Sequence, residues 1–411
     1  MNAAVESKAG KRWTLEHPEL GTGPLPVAPY LSQKYFDGMR EKVFKKVWLC
    51  TGKRVDDIPN PGDYFIFDLV IARAQLIVVR GTDGKVRSFH NLCMHRGNKL
   101  TVHNCGNFKG KMVCSYHAWA WSLAGQLATV TEEEMFYNLD KKSLNLMSVP
   151  TDVWAGFVFI NMDPNPKETL LEHLGPMADL LAGYPFDQLP VAWSYKTHMT
   201  TAWQNARDSQ LEGYHLKYLH KRTSPGVMSH AEDPSRHSLD FKLLGRHSIG
   251  SYFGVREEST LPPVARLATK FTQTLGSVAS ALSDVNTWPA GVNPTRDKDW
   301  FFDVAYVFPN FHFIFLGHHA YIGHTFLPTS VNGTWWNARA YMPAPKTLVE
   351  QFSRECAKTA VRDLWTEDGS TLEGTQKVLE AGVLKYLQIQ DQEIQIRHES
   401  KVMDDMVGDW Q

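Results

Sequence analysis

Cys93-Met94-His95-Arg96-Gly97 and Cys114-Ser115-Tyr116-His117, with eighteen residues between His95 and Cys114, decide how the first half of this chain is read. Each stretch offers one thiol and one imidazole on a tight turn, as C-x-H in the first and C-x2-H in the second. Two thiolates and two imidazoles can hold a tetrahedral zinc. They can equally hold a 2Fe–2S cluster, with two cysteines on one iron and two histidines on the other. Zinc sites usually pair Cys with Cys and His with His along the chain. Here each turn delivers a mixed pair, which suits two loop tips closing on two irons from opposite sides. Imidazole donors leave such a cluster less negative than four thiolates would, which raises its reduction potential. The cluster is the stronger reading.

Outward from these turns, residues 48–162 have the texture of short strands separated by turn residues. Residues 64–79 (YFIFDLVIARAQLIVV) are rich in aromatic and β-branched side chains, and Thr82-Asp83-Gly84 supplies a turn before Val86. Residues 154–160 (WAGFVFI) read as one further buried strand. A small all-β domain is expected here. Before it, residues 1–47 hold Pro24, Pro26 and Pro29 and then a helical-looking stretch over 32–47. After Pro166, residues 200–220 read as a helix carrying histidines and carboxylates. Val264, Leu267, Ala268, Phe271, Leu275, Val278 and Leu282 fall at helical spacing. They sit in an excursion over 220–300 whose length suits a lid or binding loop. Strands return over 301–341 with a hairpin signal at Asn332-Gly333, and the chain from Thr347 onward reads as mainly helical. The expected fold class is α+β, divided as 1–47, 48–162 and 163–411. The last part is expected to hold a meandering sheet with flanking helices.

The length of 411 residues agrees with about two domains of ~150 residues each. Lys plus Arg number 43 against 44 Asp plus Glu, so the basic excess of a nucleic-acid binder is missing. No apolar run approaches the ~20 residues of a membrane helix. The opening MNAAVESKAGKRW lacks the apolar stretch of a secretion signal. A cytoplasmic protein without membrane or nucleic-acid partners is expected. Five cysteines are an odd number, and in a reducing compartment they argue for metal rather than disulfides. Cys50 and Cys356 read as small buried hydrophobes. Cys105 lies between the ligand turns without a partner at ligand spacing and reads as packing.

Residues 205–220 are NARDSQLEGYHLKYLH. His215 and His220 are five apart, ~500° of rotation on an ideal helix, so they meet at one metal only if the helix ends or distorts between them. Glu212, three before His215, shares its face. Alone, such residues are more often a solvated polar face than a site.

The segments HNLCMHRGNKL (90–100) and GKMVCSYHAWAWSLAGQL (110–127), with PGDYF (61–65) before and WAGFVFINMDP (154–164) after, resemble the Rieske domain of ring-hydroxylating non-haem iron oxygenases, in their catalytic α subunit. The resemblance runs from about Trp48 to Asp368. It implies a 2Fe–2S cluster on Cys93, His95, Cys114 and His117. It also implies a mononuclear Fe(II) on His215, His220 and Asp368, with O2 as co-substrate. Asp368 stands in TEDGSTLEGTQ (366–376), read as an acid-rich helix start with Glu373 and Gln376 after it. Asp391 in QIQDQEIQ (388–395) competes for the third place and otherwise reads as an exposed helix position.

The family acid at Glu212 is usually Asp and bridges a Rieske histidine of one subunit to an iron-binding histidine of the next. A Glu there also occurs among relatives that oxidise quaternary amines. Asp208 stands where Asn is frequent, as a pocket residue or a structural one. Ala118 replaces the glycine usual after the second Rieske histidine. The resemblance further implies a helix-grip-like catalytic domain with an antiparallel sheet and a homotrimer with or without a β subunit. A separate reductase, with or without a ferredoxin, would oxidise NAD(P)H, since no G-x-G-x-x-G follows a strand here.

A triad of two histidines and one carboxylate leaves iron positions open for O2 and substrate. The expected function is therefore a terminal oxygenase component hydroxylating an apolar or aromatic ring, as a mono- or dioxygenase of aromatic hydrocarbon catabolism. Oxidative N- or O-demethylation, including of a quaternary amine, is the alternative. A Rieske electron-transfer protein, or a binding module without metal, would need no His215, His220 and Asp368. Phe301, Phe302, Phe311, Phe313, Phe315 and Tyr321 are expected mostly in the core, with a few lining a pocket.

Overall fold

The computed structural model describes residues 12–223, 235–254, 261–270, 286, 288–297, 299–316 and 320–410. The chain forms two compact units, Arg40–His173 and the segments on either side of it.

Three antiparallel sheets build Arg40–His173. The largest has the spatial order Ser148–Val149, Val86–His90, Ala74–Arg80, Asp63–Leu69, Cys105–Asn107. Thr151–Trp154, Phe157–Asn161 and Trp48–Arg54 form the second, and Lys111–Val113, Ala120–Ser122 and Leu127–Thr129 the third. The apolar run over 64–79 is a strand pair in register from Tyr64 with Val79 to Leu69 with Ala74. The single strand expected over 154–160 is instead a hairpin, with Trp154 paired to Phe157 across Ala155 and Gly156. Both turn residues have positive φ, 52° and 78°. That conformation follows the right-handed strand twist, and an alanine in it hides the turn from composition. The two cysteine-bearing turns rest on a core that includes Ile77, Val79, Met112, Trp119, Trp121 and Leu146.

The flanking unit is organised by seven antiparallel strands: β1 (Val191–Met199), β2 (Ser238–Leu244), β3 (His247–Phe253), β4 (Trp300–Val307), β5 (Phe311–Phe315), β6 (Tyr321–Ser330) and β7 (Gly333–Tyr341). They run in the order β1-β7-β6-β5-β4-β3-β2, a meander closed by β1 returning beside β7. The excursion over 220–300 is therefore not a single lid, because it contains β2 and β3. All seven residues of β3 are buried although three are His or Ser, so the strand lacks an apolar signal. The helix expected from Val264 is described over Pro263–Lys270, and Phe271, Leu275, Val278 and Leu282 lie outside the described residues. Helices α1 (Trp203–Asp208), α2 (Leu216–Leu219), α3 (Leu348–Glu380) and α4 (Ile394–Val407) complete what positions the site. Thr347 caps α3 by accepting the Glu350 N–H on its hydroxyl, 3.2 Å.

Phe301, Phe302, Phe311, Phe313, Phe315 and Tyr321 are all buried in the sheet, as expected of core. The helical stretch expected over 32–47 is a helix, Gln33–Met39, followed by a π-type turn, Arg40–Phe44. Cys50 and Cys356 are buried, but Cys105 is exposed. It lies on an edge strand, where one flank lacks a neighbour to pack against. Asp391 is not an exposed helix position either. It precedes α4, and its carboxylate accepts Trp13 N–H (2.9 Å), Thr14 N–H (3.0 Å) and Thr14 Oγ1–H (2.6 Å), tying down an N-terminal turn. Among the described residues no helix is long and apolar enough to cross a membrane.

Candidate metal centres

The helix expected over 200–220 is broken. α1 ends at Asp208, residues 209–215 bend, and α2 starts at Leu216. The bend is pinned from the sheet by Tyr252, whose hydroxyl donates to Leu211 C=O (3.2 Å) and to Gln395 Oε1 (2.9 Å). Its ring passes so close that a Cβ on Gly213 would lie 2.7 Å from Cδ1. Glycine is thus needed for close approach. His215 is the residue before α2 and His220 the residue after it, so both stand at the ends of a single short helix. Glu212 is consequently in the bend, not one turn up a shared helix. It still reaches His215: Oε2 accepts the Tyr214 N–H and the His215 N–H (3.0 Å), and Oε1 meets His215 Nδ1.

Asp368 lies in the middle of α3 rather than at a helix start. Its Oδ1 is 3.1 Å from His220 Nε2 and 3.6 Å from His215 Nε2. One donor atom from each of the three lies within 4.8 Å of the others, and no other trio of His, Cys, Asp or Glu converges this way among the described residues. Asp391 is not part of it. Behind His220, Nδ1 meets Glu367 Oε2 at 2.9 Å, and the same oxygen accepts Thr223 Oγ1–H at 2.8 Å. Sequence reasoning missed Glu367. Neighbours on a helix point ~100° apart, so adjacency to Asp368 gave no hint that both would face the site.

These residues fit a divalent metal. His220 Nε2 and Asp368 Oδ1 are buried and, despite their closeness, misaligned for a hydrogen bond. Each such orphaned group costs about 1–3 kcal/mol unless something fills the space between. Carboxylates on both Nδ1 atoms fix the tautomers so that each Nε2 presents its lone pair. Burial pulls the His215 imidazole down, yet Glu212 and Asp368 carry it above its ordinary value. Burial, with Glu212 and Asp208 adding to it, pushes the Glu393 carboxyl up to about 7. The His215 shift, upward against burial, reports a negative potential that favours a cation.

A cavity of about 390 Å³ opens beside the trio, lined among others by Tyr30, Asp208, Glu212, His215, Asp368 and Glu393. Asp208 is both pocket lining and structure. It accepts Arg207 Nη2–H and Tyr30 O–H, each at 2.6 Å. Tyr30 and Glu393 come from segments far along the chain, and nothing in their neighbours marked them.

In the β unit the two turns share one hydrogen-bond pattern. Cys93 N–H donates to Asn98 C=O (2.7 Å) and Gly97 N–H to Cys93 C=O (2.9 Å). Cys114 N–H donates to Trp119 C=O (2.8 Å) and Ala118 N–H to Cys114 C=O (3.0 Å). Gly97 and Ala118 close these turns at φ 79° and 56°, so Ala118 holds a left-handed position that glycine fills without strain. Both thiols are buried, and the His95 and His117 rings stand 4.7 Å apart. Burial, then His117 and Arg96, push the His95 imidazole below its ordinary value, leaving a neutral donor. Its Nδ1 is buried without a hydrogen-bond partner. No three of these four residues close to within 4.8 Å as His215, His220 and Asp368 do. A single tetrahedral zinc needs that closure; two irons do not. The four residues fit a 2Fe–2S cluster.

The comparisons agree. Residues 48–141 match the profile described as Rieske [2Fe-2S] domain, and residues 186–409, over half of the chain, match Ring hydroxylating alpha subunit (catalytic domain). The chain belongs to the ring-hydroxylating alpha-subunit family. Members carry a 2Fe–2S cluster and a non-haem iron, with O2 as co-substrate. The chain is 34% identical over 204 residues to the carnitine monooxygenase oxygenase subunit of Escherichia coli (strain K12), covering 49% of this chain and 54% of that one. It is 32% identical over 202 residues to the chloroplastic choline monooxygenase of Spinacia oleracea, covering 48% and 45%. The chain thus spans about half the length of the curated relatives it matches. A quaternary ammonium Rieske monooxygenase in complex with L-carnitine has the same fold, with TM-score 0.72, 20% identity and coverage of 94% and 96%. So does a naphthalene 1,2-dioxygenase from Rhodococcus sp. bound to indole, with TM-score 0.73, 19% identity and coverage of 95% and 96%.

Proposed function

We propose that the chain is the terminal oxygenase component of an O2-dependent system, with the cluster on Cys93, His95, Cys114 and His117 and iron on His215, His220 and Asp368. The convergence of these three side chains, each imidazole backed by its own carboxylate, carries the reading. Bound there, the iron supplies O2 activation and the cluster supplies electrons. The chain's residues do the rest. Glu212 and Glu367 hold the Nδ1 protons, and Asp368 contributes one negative charge to a buried site. Residues 48–162 are the Rieske domain and 163–411 the iron domain in this reading. Of the segment 1–47, residues 12–39 go with the latter, supported by the Asp391 cap on Trp13 and Thr14, whereas residues 40–47 fall in the unit Arg40–His173.

Two substrate classes compete. Ring hydroxylation in aromatic catabolism is compatible with the family. Oxidation of a quaternary amine is favoured by the carboxyl groups of Glu212, Asp368 and Glu393 in the cavity lining, by Glu in place of Asp at position 212, and by the relatives named for carnitine and choline. A homotrimer, a separate NAD(P)H-oxidising reductase and a cytoplasmic location complete the proposal. Tyr116 beside His117 and Tyr214 beside His215 are each about half exposed, which suits cover by a second copy. O2 uptake with a reductase should be stimulated by a quaternary amine, with aldehyde released. Uptake driven only by ring compounds would reverse the substrate choice. No substrate-dependent uptake by metal-replete protein across both classes would end the oxygenase reading.

A further inference from the structure

Trp365 stands three residues before Asp368 on α3, so the two side chains share a face with Cβ atoms ~5–6 Å apart. Its ring centroid lies 5.0 Å from His324 of β6, 5.7 Å from Trp336 of β7 and 5.6 Å from Tyr195 of β1. Trp336 Nε1–H donates to His324 Nδ1 at 2.8 Å. Tyr195, Trp336 and Trp365 also line a second cavity, of about 400 Å³, whose wall includes the exposed Lys196 and Thr197. Oxidisable rings therefore run from the helix bearing Asp368 to a solvent-facing opening.

Packing alone does not account for this cluster. His324 is fully buried, and its Nε2 has no hydrogen-bond partner. A Phe or Leu would remove that orphan but leave the buried Trp336 indole N–H unpaired instead. What the imidazole adds is a proton acceptor on the Trp336 indole. Burial pushes His324 down to about 3, so the imidazole is neutral and its Nδ1 accepts the indole N–H.

We propose that Trp336 and His324 are a proton-coupled one-electron relay which, with Trp365 and Tyr195, leads oxidising equivalents away from the Asp368 metal site when O2 is reduced without oxidation of substrate. This rests on the oxygenase reading for its oxidant, an O2-derived one-electron oxidant at that site. In the step, one electron leaves the Trp336 indole by way of Trp365, and the indole N–H proton moves to His324 Nδ1. A neutral tryptophyl radical and an imidazolium result. A thiol arriving at the cavity returns the electron and becomes a thiyl radical, its own proton going to solvent. His324 then hands its proton back to Trp336. Both residues are restored, and one oxidising equivalent has left the site.

The relay is tested apart from oxygenase turnover by firing a ruthenium polypyridyl photo-oxidant at the holoenzyme and reading radicals by transient absorption and EPR. Wild type should give a neutral tryptophyl radical. Trp336→Phe should lower its yield several-fold against the background of the other tryptophans, and His324→Leu should turn that share into the undeprotonated radical cation. An unchanged neutral radical in either variant overturns the proposal. Circular dichroism and metal content establish that each variant is folded. If Trp336→Phe fails to fold, Trp365→Phe carries the test, with a several-fold lower radical yield expected and an equal yield overturning the relay. The protective role is read separately, on reduced holoenzyme exposed to O2 without substrate. Oxygen adducts on the His215 and His220 peptides should rise several-fold in Trp336→Phe by mass spectrometry, and equal damage overturns that role. Because the photochemical arm needs no substrate turnover, failure of the oxygenase reading is distinguishable from failure of the relay.

Discussion

Single carboxylates and one backbone angle carry much of the chemistry at the scale of residues. Glu367 touches no metal in the proposed site, yet it fixes the His220 tautomer. Replacing such an outer carboxylate typically weakens metal binding about 10–100-fold. Glu367→Ala should show that loss in an iron titration while the cluster spectrum is unchanged, and wild-type affinity would remove its positioning role. Ala118 holds a left-handed φ of 56° where the matching turn has Gly97. Ala118→Gly should raise the unfolding free energy of the β unit by about 1 kcal/mol, read by denaturant titration. An unchanged or lower value would show that the turn carries no such strain. The pairing of thiol and imidazole on each of these turns was legible in the sequence, because C-x-H and C-x2-H place both donors on one local hydrogen-bonded loop. Glu367 was not legible, since its partner His220 lies 147 positions away.

At the scale of elements, the bend between α1 and α2 and the attachment of β4 matter most. Tyr252 presses on Gly213 in the bend that precedes His215, and His215 and His220 flank the short helix α2 that follows it. Asp303 of β4 ties Ser251 Oγ (2.6 Å), Trp300 Nε1 (2.7 Å) and the Asn293 N–H (2.7 Å) to one carboxylate. Its burial nevertheless pushes the carboxyl up to about 7. An acid whose folded pKa exceeds its unfolded value of about 3.9 binds its proton more tightly when folded. Its contribution is therefore greatest below about pH 4 and is lost as pH rises to about 7, with a slope of at most about 1.4 kcal/mol per unit. Asp303→Asn should flatten the dependence of unfolding free energy on pH across that window. A slope identical to wild type would exclude Asp303 as its source.

The whole molecule separates two tasks, a cluster in one unit and an iron site in the other. Asp368→Ala should lose mononuclear iron yet keep the Rieske spectrum, whereas Asp391→Ala should keep both metals and lose only the clasp on Trp13 and Thr14. The reverse pattern would transfer the third ligand to Asp391. In the proposed homotrimer Glu212 would act at this scale as well, by the bridge between centres of neighbouring subunits that the family resemblance implies. Glu212→Gln keeps the size and removes the charge, so both metals should stay bound while turnover falls sharply. Stopped-flow reoxidation of the reduced cluster by substrate and O2 should slow. Reoxidation at the wild-type rate would sink the bridge, and loss of iron would place Glu212 among the ligands.

The sequence by itself determined the donor types, their local turns and the division into an all-β and an α+β part, because strand texture and tight turns are encoded by adjacent residues. Only the tertiary structure decided the rest. It broke the helix at 209–215, set Asp368 in mid-helix, split residues 154–160 into a hairpin, and drew β2 and β3 out of an apparent loop. It also brought Tyr30, Glu367 and Glu393 to the site. These outcomes depend on contacts such as Tyr252 against Gly213, made between segments distant in the chain, and such packing leaves no periodic trace in either segment alone.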